Sequence, residues 1–441
     1  MFNLQEKVVL FMLKTINELQ QFFKDRKHFG VKPGLKRMQY LLKRLGHPEK
    51  NVRAIHVAGT NGKGSTIQFL QHALMKHHYK VGVFTSPSFT DIRGHILMNN
   101  EEICERDLLT YMNELLPFVY ELDEKNDHPT EFELLTVIAI CYFSRNADIA
   151  LIETGMGGRD DTTNVIHPIV SVITNISTDH VQFLGETIEE ITLHKAGVIK
   201  ENTPVVVGNV SDDSRKIILD EAYKKQAPVY LLNEHFSFRK NIEKRYEWSY
   251  RDQLSLSFSI DVFGIYQVEN ICIALAVLYC LQNFGMNFNW RQVITSIEQT
   301  ELIGRFEKIV EQPTIILDSA HNVAGIKAFI QTIEQRYSNK EKHLLFSGFK
   351  DKQLTRMIEP LIDEFHSITL TTFAHERAAS LTYMKQLAEK YNLRVSSDWK
   401  EEIKSVIDDR KTEDLYFVTG SLHFIAQVRA FILEQINEDY V

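Results

Sequence analysis

Apolar and polar positions along the chain follow two rhythms. Residues 4–29, 35–45, 105–122, 130–145 and 187–199 repeat apolar side chains at helical spacing, and each predicts an amphipathic helix. Between them lie short continuous apolar runs. They are Ala54–Ala58, Lys80–Phe84, Asp148–Ile152, Ile169–Ile176 and Pro204–Gly208. Runs of this length without alternation fit strands of a parallel sheet covered on both faces. Residues 88–103, with Gly94, Asn99 and Asn100, read as an irregular loop. Residues 234–262 alternate apolar and polar and predict a small antiparallel ribbon. Helices are expected near 266–284 and 289–300. From Thr314 the pattern restarts. Strands near 314–318, 343–348, 367–373 and 415–419 alternate with helices near 323–337, 352–364, 380–391 and 421–436. The prediction is an α/β protein of two domains, 1–298 and 299–441, each with a mainly parallel sheet.

Composition narrows the classes. The 441 residues are 44% hydrophobic and 24% charged, with a formal net charge of −8. That balance fits a globular protein and argues against a general nucleic-acid binder, which carries a basic excess. The four cysteines, Cys104, Cys141, Cys272 and Cys280, form no C-x-x-C pair. Neither a disulfide framework nor a zinc site is indicated, and reduced thiols in the cytoplasm are expected. Met1–Phe29 lacks a signal-peptide layout, and the longest apolar run, Ile271–Leu281, is too short to span a bilayer. No membrane association is expected, and a monomer is the default.

The chemistry centres on Gly59, Thr60, Asn61, Gly62, Lys63, Gly64, Ser65 and Thr66. An apolar run precedes this stretch and a helical repeat follows it. Strand, glycine-rich turn and helix form the context in which backbone N–H groups cradle phosphates. Lys63 adds a point charge, and Ser65 or Thr66 a hydroxyl for a magnesium ion. The spacing departs from G-x-x-x-x-G-K-[ST]: Val57 stands at the first glycine, and Gly64 separates lysine from hydroxyl. A plain turn into a helix is the alternative. Three further strands end in polar residues, at Ser86, Glu153 and His180. Ligands of open α/β sheets bind outside the carboxyl ends of the strands, so these side chains could converge on one Mg·ATP. Taken singly, each could equally be a helix cap or a structural polar group. Lys195 lies in an apolar helical setting, either buried and shifted or exposed on a solvated face. In the second half, Asp318 to Asn322 again ends a strand and opens a helix, and Gly304-Arg305-Phe306 stands near the domain junction. Arg305 could clamp phosphate or form a hinge salt bridge, and Asp318 or Asn322 could simply cap.

In sequence order these residues resemble the folylpolyglutamate synthase/dihydrofolate synthase family, within the Mur-type ATP-dependent amide ligases. The resemblance runs from Phe29–Gly34 to Thr419–Leu422. Its most specific pieces are Gly59–Ser65, Glu153–Arg159 with Thr163 and Asn164, and Asp179-His180 with Leu184-Gly185. Phe132–Thr136, Lys195–Lys200, Gln267 with Asn270, Gly304–Phe306 and Asp318–Asn322 complete it. It implies a P-loop ATPase domain and a smaller Rossmann-like C-terminal domain, with the active site in the cleft between them. It implies that the Gly59–Thr66 loop binds ATP, and that Ser65, Ser86, Glu153 and His180 place two magnesium ions. Lys195 matches a lysine carbamylated in the family that helps hold a metal. Asn270, Arg305, Asp318 and His321 match nucleotide contacts, while Thr419 and Ser421 match a motif without an assigned role. The implied reaction joins L-glutamate to a reduced folate through an acyl phosphate, with Lys63, Glu153, His180 and Lys195 as the central residues.

Departures from the family pattern cluster after Ser86. This chain reads Arg93-Gly94-His95-Ile96 where the family usually has Asn-Glu-Arg-Ile. His194 replaces a glutamate, Ser319 a glycine, Val323 a proline and Ile303 a proline. None removes a phosphate or metal residue. The first lies near the expected substrate mouth and leaves the acceptor open: a reduced folate, another carboxylate, or an idle nucleotide- or folate-binding role.

Overall fold

The computed structural model describes residues 12–30, 32–251, 253–260, 264–338, 340–409 and 413–438. The chain divides into two compact units, 1–259 with 269–300, and 260–268 with 301–441.

The first unit is built on an eight-stranded sheet. Its strands are β1 (Ala54–Ala58), β2 (Val81–Phe84), β3 (Ile96–Met98), β4 (Glu101–Glu102), β5 (Ile149–Glu153), β6 (Val170–Asn175), β7 (Val205–Asn209) and β8 (Val229–Leu231). The order is β4-β3-β2-β5-β1-β6-β7-β8. The six strands from β2 to β8 in that order run parallel; β3 adds antiparallel to β2, and β4 antiparallel to β3. β1 is central and buried along its whole length. Its neighbours are in register at Val57↔Glu153 and Ala58↔Ile173, which brings three strand ends side by side. A separate antiparallel ribbon comprises β9 (Phe236–Lys240), β10 (Tyr246–Tyr250) and β11 (Leu254–Phe258). The expected tail of that ribbon, residues 261 and 262, lies outside the described residues.

Packing explains the sheet's rigidity. One face is covered by a cluster that includes Leu19, Phe23, Leu41, Leu115, Leu135, Ile138 and Phe143. A second cluster includes Ile173, Val198, Val205, Val207 and Ile218. Each buried leucine or phenylalanine contributes about 1.5–3 kcal/mol relative to exposure. The apolar run Ile271–Leu281 lies within the helix Gln267–Leu281 and is buried almost throughout. Among the described residues, no helix is long and apolar enough to cross a membrane.

The second unit is a six-stranded sheet in the order β12-β13-β17-β14-β15-β16. Its strands are β12 (Arg305–Val310), β13 (Thr314–Asp318), β14 (Lys342–Phe346), β15 (Ser367–Leu370), β16 (Arg394–Val395) and β17 (Leu415–Thr419). All pairs are parallel except β12 with β13. Apolar clusters cover both faces, one including Phe329, Phe346 and Phe417, the other Leu317, Phe424 and Ile425.

Several expectations differ in detail. The first helix runs Ile16–Arg26, with Thr15 as its N-cap, accepting from Glu18 N at 3.2 Å. Residues 4–11 of the expected helix lie outside the described residues. Residues 88–103 are ordered: a 3-10 turn, Ile92–His95, leads into β3 and β4. The helix expected over 352–364 is Leu354–Ile358 followed by a 3-10 turn, Glu359–Leu361, where Pro360 cannot continue the hydrogen-bond ladder.

Candidate active site

The loop after β1 is short. Only Gly59–Gly62 separate the strand from the helix Lys63–Lys76, so Lys63 is the first helical residue. Gly62 has φ +83°, and a Cβ there would stand 2.2 Å from Asn270 Oδ1. At Gly59 a Cβ would meet Thr174 Oγ1 at 1.9 Å. Both positions therefore admit only glycine. The loop is pinned from β6: Thr174 Oγ1 donates to Asn61 O at 2.6 Å, and Asn61 N donates to Asn175 Oδ1 at 3.0 Å. Thr60 Oγ1 donates to Ser177 O at 2.9 Å, and Ser177 N donates back at 3.0 Å.

Three ionisable side chains meet around this loop. Lys63 Nζ donates to Gly59 O at 3.2 Å and lies 3.8 Å from Glu153 Oε1. Lys195 Nζ, almost fully buried, donates to Gly59 O at 2.9 Å. Glu153, at the end of β5 and also buried, accepts from Thr85 Oγ1 at 2.5 Å and from Ser86 N at 3.3 Å. Thr85, which the sequence reading did not single out, is the residue whose hydroxyl grips the carboxylate. Ser65 and Thr66 are buried in the first helical turn, and among the described residues Thr66 Oγ1 has no hydrogen-bond partner. His180 follows β6 in a left-handed conformation (φ +50°), with Nε2 3.9 Å from Asp179 Oδ2.

Charge follows from this geometry. Burial pushes the Lys195 ammonium down to about 7, and the neighbouring Lys63 cation pushes the same way against Asp179 and Asp161. Burial also raises the Asp161 carboxyl, which accepts from Met156 N at 2.7 Å, Thr163 N at 3.0 Å and Thr163 Oγ1 at 2.5 Å. His56, buried in β1, lies 2.8 Å from Thr163 Oγ1 and is held neutral, its imidazole lowered to about 3 by burial. Since Thr163 gives its proton to Asp161, it accepts one from His56 Nε2.

The loop 155–164 is clamped on two sides. The Phe132 ring lies where a Gly155 Cβ would stand 2.5 Å away, and Thr136 Oγ1 pairs with Thr162 Oγ1 at 2.8 Å. Asn164 Nδ2 donates to Arg159 O and Gly197 O, and Lys200 Nζ donates to Asn164 O. Glu133 is wholly buried. It closes a capping box with Thr130 and accepts from Arg37 Nε at 2.8 Å, so its part is architectural.

In the second unit Arg305, Asp318 and His321 gather at the end of β13 next to β12. Asp318 is buried and accepts from Tyr266 OH at 2.5 Å, Phe306 N at 2.9 Å and Ala320 N at 2.9 Å. His321 Nδ1 lies 2.9 Å from Ser319 O. Asn322 caps the helix Val323–Tyr337, accepting from Gly325 N at 2.8 Å. Thr419 and Ser421 are buried where β17 passes into the helix Leu422–Glu438. Tyr266 carried no signal in the sequence, because its partner lies 52 positions away.

Known proteins are similar to this chain along its length. The Mur ligase middle domain matches residues 57–278, and the Mur ligase glutamate ligase domain matches 304–422. A dihydrofolate synthase/folylpolyglutamate synthase of Bacillus subtilis (strain 168) is 35% identical over 436 residues, covering 95% of this chain and 99% of that protein. The chain belongs to this family. It is a ligase of the Mur type. Two solved structures reinforce the assignment. E. coli FolC in complex with DHPP and ADP superposes with a TM-score of 0.86 at 25% identity, over 98% of this chain and 99% of that one. A bifunctional folylpolyglutamate synthase/dihydrofolate synthase with Mn, AMPPNP and L-glutamate bound gives 0.83 at 26% identity, over 96% and 98%.

The stretch after Ser86 folds back on itself. Asp91 caps the turn by accepting from Arg93 N at 2.8 Å, and pairs with the Arg93 guanidinium at 3.0 Å. Glu102 and Glu105 each lie 3.9 Å from the same guanidinium. His95 Nδ1 lies 2.8 Å from Thr85 O, and burial lowers its imidazole. A Cβ on Gly94 would stand 2.2 Å from Ser88 Oγ. The departure is thus a closed, self-satisfied turn, and through His95 it braces the residue that grips Glu153.

Proposed function

We propose that this ligase joins L-glutamate to a reduced folate at the expense of ATP. The observation that carries the reading is the convergence of Lys63, Glu153 and Lys195 on the Gly59–Gly62 loop, in a chain similar along its length to dihydrofolate/folylpolyglutamate synthases. In the reaction a folate carboxylate oxygen attacks the γ-phosphorus and ADP leaves, giving an acyl phosphate. The glutamate amine then attacks the acyl carbon, inorganic phosphate leaves with its bonding pair, and the amine proton is lost as the amide forms. Phosphoryl transfer of this kind is chiefly positioning and charge neutralisation, so no protein nucleophile is required.

Each residue has a part in that scheme. The loop N–H groups and the N-terminus of the helix Lys63–Lys76 receive the phosphates, and Lys63 adds the local positive charge. Asn270, against Gly62, sets the wall of the nucleotide site. Arg305, Asp318 and His321 supply the nucleotide contacts of the second unit. The donor set around Glu153 fits a hard divalent cation, because it offers carboxylate and hydroxyl oxygens and includes the orphaned, buried Thr66 Oγ1. Ser65, Ser86, Glu153, His180 and a carbamylated Lys195 would hold two such ions, magnesium in the cell. Bound there, the cations neutralise phosphate charge and polarise the transferred group. A lysine amine titrating near 7 is largely neutral at mildly alkaline pH, so its nitrogen can attack CO₂ and lose a proton to give the carbamate. That converts a costly buried cation into an oxygen ligand.

The test is ADP release with tetrahydrofolate and L-glutamate, each alone and together. Joint dependence, with a product heavier by one glutamyl residue, supports the reading; ADP release indifferent to the folate overturns it. The bifunctional name of the Bacillus subtilis relative favours a second activity, glutamate addition to dihydropteroate, measured by the same mass shift.

A further inference from the structure

Among the described residues, Asp318 is a carboxylate with one acceptor position to spare. A carboxylate offers about four such positions. On Oδ2, two are taken by Tyr266 OH at 2.5 Å and Phe306 N at 2.9 Å. On Oδ1, one is taken by Ala320 N at 2.9 Å. The open position is therefore on Oδ1, at the carboxyl end of β13, where ligands of such sheets bind. Its direction is fixed by what holds Oδ2. Phe306 contributes from a left-handed backbone conformation (φ +57°), which for a bulky residue is strained and persists only where its surroundings enforce it. Tyr266 is the side chain that shares that oxygen. Its ring packs on Gly264, where a Cβ would stand 2.5 Å from Cε1. Its segment is tied to the same unit through Ile265 N, which donates to Thr332 Oγ1 at 3.2 Å. Burial and the neighbouring carboxylate raise the phenol well above its ordinary value, so it remains a donor.

We propose that Tyr266 is a positioning residue that locks the Asp318 carboxylate with Oδ1 presented to a ribose hydroxyl of the nucleotide. The proposal rests on the reading of Asp318 as a nucleotide contact, which nothing about Tyr266 itself establishes. Without the phenol, Oδ2 keeps the Phe306 N–H alone and Oδ1 keeps the Ala320 N–H, so the carboxylate is held less firmly and its plane can tilt. The loss then falls on ribose recognition, not on the chemical step.

The experiment is calorimetric binding of ADP, 2′-deoxy-ADP and 3′-deoxy-ADP to full-length wild type, Tyr266→Phe and Asp318→Asn. Wild type should favour ADP over one deoxy analogue by about tenfold, the worth of one good hydrogen bond. Tyr266→Phe should reduce that preference to about twofold or less, with kcat at saturating ATP and KM for folate and glutamate unchanged. Tyr266→His, which retains a donor, should recover part of the preference and serves if the phenylalanine variant does not fold. If Asp318→Asn abolishes the preference while Tyr266→Phe retains it, the positioning role is overturned. If Asp318→Asn also retains it, the reading of Asp318 as a nucleotide contact fails as well.

Discussion

Lys195 Nζ donates to the Gly59 carbonyl at 2.9 Å, which ties a buried amine directly to the phosphate loop. Lys63 Nζ donates to the same oxygen at 3.2 Å. Burial pushes the Lys195 ammonium down to about 7 and the neighbouring Lys63 cation adds to the effect, so Lys195 is the one that gives up its charge. With labelled bicarbonate, wild type should show a carbamate signal by NMR that grows as pH rises through about 7 and is missing in Lys195→Ala. A silent wild type would sink the carbamate. Stability carries the same signature. The folded pKa, about 7, lies below the unfolded 10.5, so between them the unfolded state binds more protons and stability rises with pH. Lys195→Met should flatten that rise in denaturant titrations.

Lys63 sits at the loop's exit, bonded to backbone carbonyls of the loop and facing Glu153. It holds no core together. Lys63→Ala should therefore cut joint folate- and glutamate-dependent ADP release by about 10²–10³-fold, as loss of a charge aimed at a transferring phosphoryl group does. Thermal unfolding should change little. A variant with near-normal turnover would show that the loop does not carry the phosphates.

The loop itself is a steric prediction. An alanine at Gly62 must adopt φ +83° and clear Asn270 Oδ1, which lies 2.2 Å from the new Cβ. An L-residue in left-handed backbone costs about 1–2 kcal/mol before any clash is counted. Gly62→Ala should lower the unfolding temperature and remove the stabilisation that ADP gives wild type. Asn270→Ala in the Gly62→Ala background should restore part of the stability, since it removes the obstructing atom. If the double variant is no more stable than the single, Asn270 is not what confines Gly62.

The local parts of this site were legible in the sequence, and the long-range parts were not. Gly59 to Ser65 could be read because strand, turn and helix are contiguous and each announces itself by residue type. Glu153 and His180 stood out because parallel strands end where ligands bind. Thr85 was missed because only the pairing of β2 with β5 decides which hydroxyl faces Glu153. β12 was missed because it is built through Phe306, a residue type that does not advertise positive φ, and carries two register shifts. The helix Asp212–Lys224 was passed over although Ser211 caps it, accepting from Ser214 N. Its apolar residues are too few for the rhythm to show. The Arg93–His95 departure, read as irregular loop near the substrate mouth, is a closed turn, because Asp91, Glu102 and Glu105 satisfy Arg93 from nearby chain.

His56 Nε2 lies 2.8 Å from Thr163 Oγ1, which ties β1 to the loop that follows Glu153. Thr163 hands its proton to Asp161 at 2.5 Å, and Asp161 in turn holds Met156 N in the loop that follows Glu153. Thr163→Val breaks both bonds at once and leaves the His56 N–H buried without an acceptor. The expected cost is about 2–4 kcal/mol of unfolding free energy, two buried donors or acceptors at about 1–2 kcal/mol each. The histidine also gives the fold a pH slope. His56 titrates at about 3 when folded against 6.5 when unfolded, so its contribution is complete above 6.5 and is lost as pH falls towards 3. Asp161 opposes this in the most acid part of the window, because burial raises its carboxyl above 3.8 and its protonation then favours the folded state. The clean measurement is the difference in unfolding free energy between wild type and His56→Gln, followed by denaturant titration from neutral pH downwards. The wild-type advantage should shrink as pH drops below about 6.5. A difference that stays constant with pH would mean that His56 is not held neutral by its burial in β1.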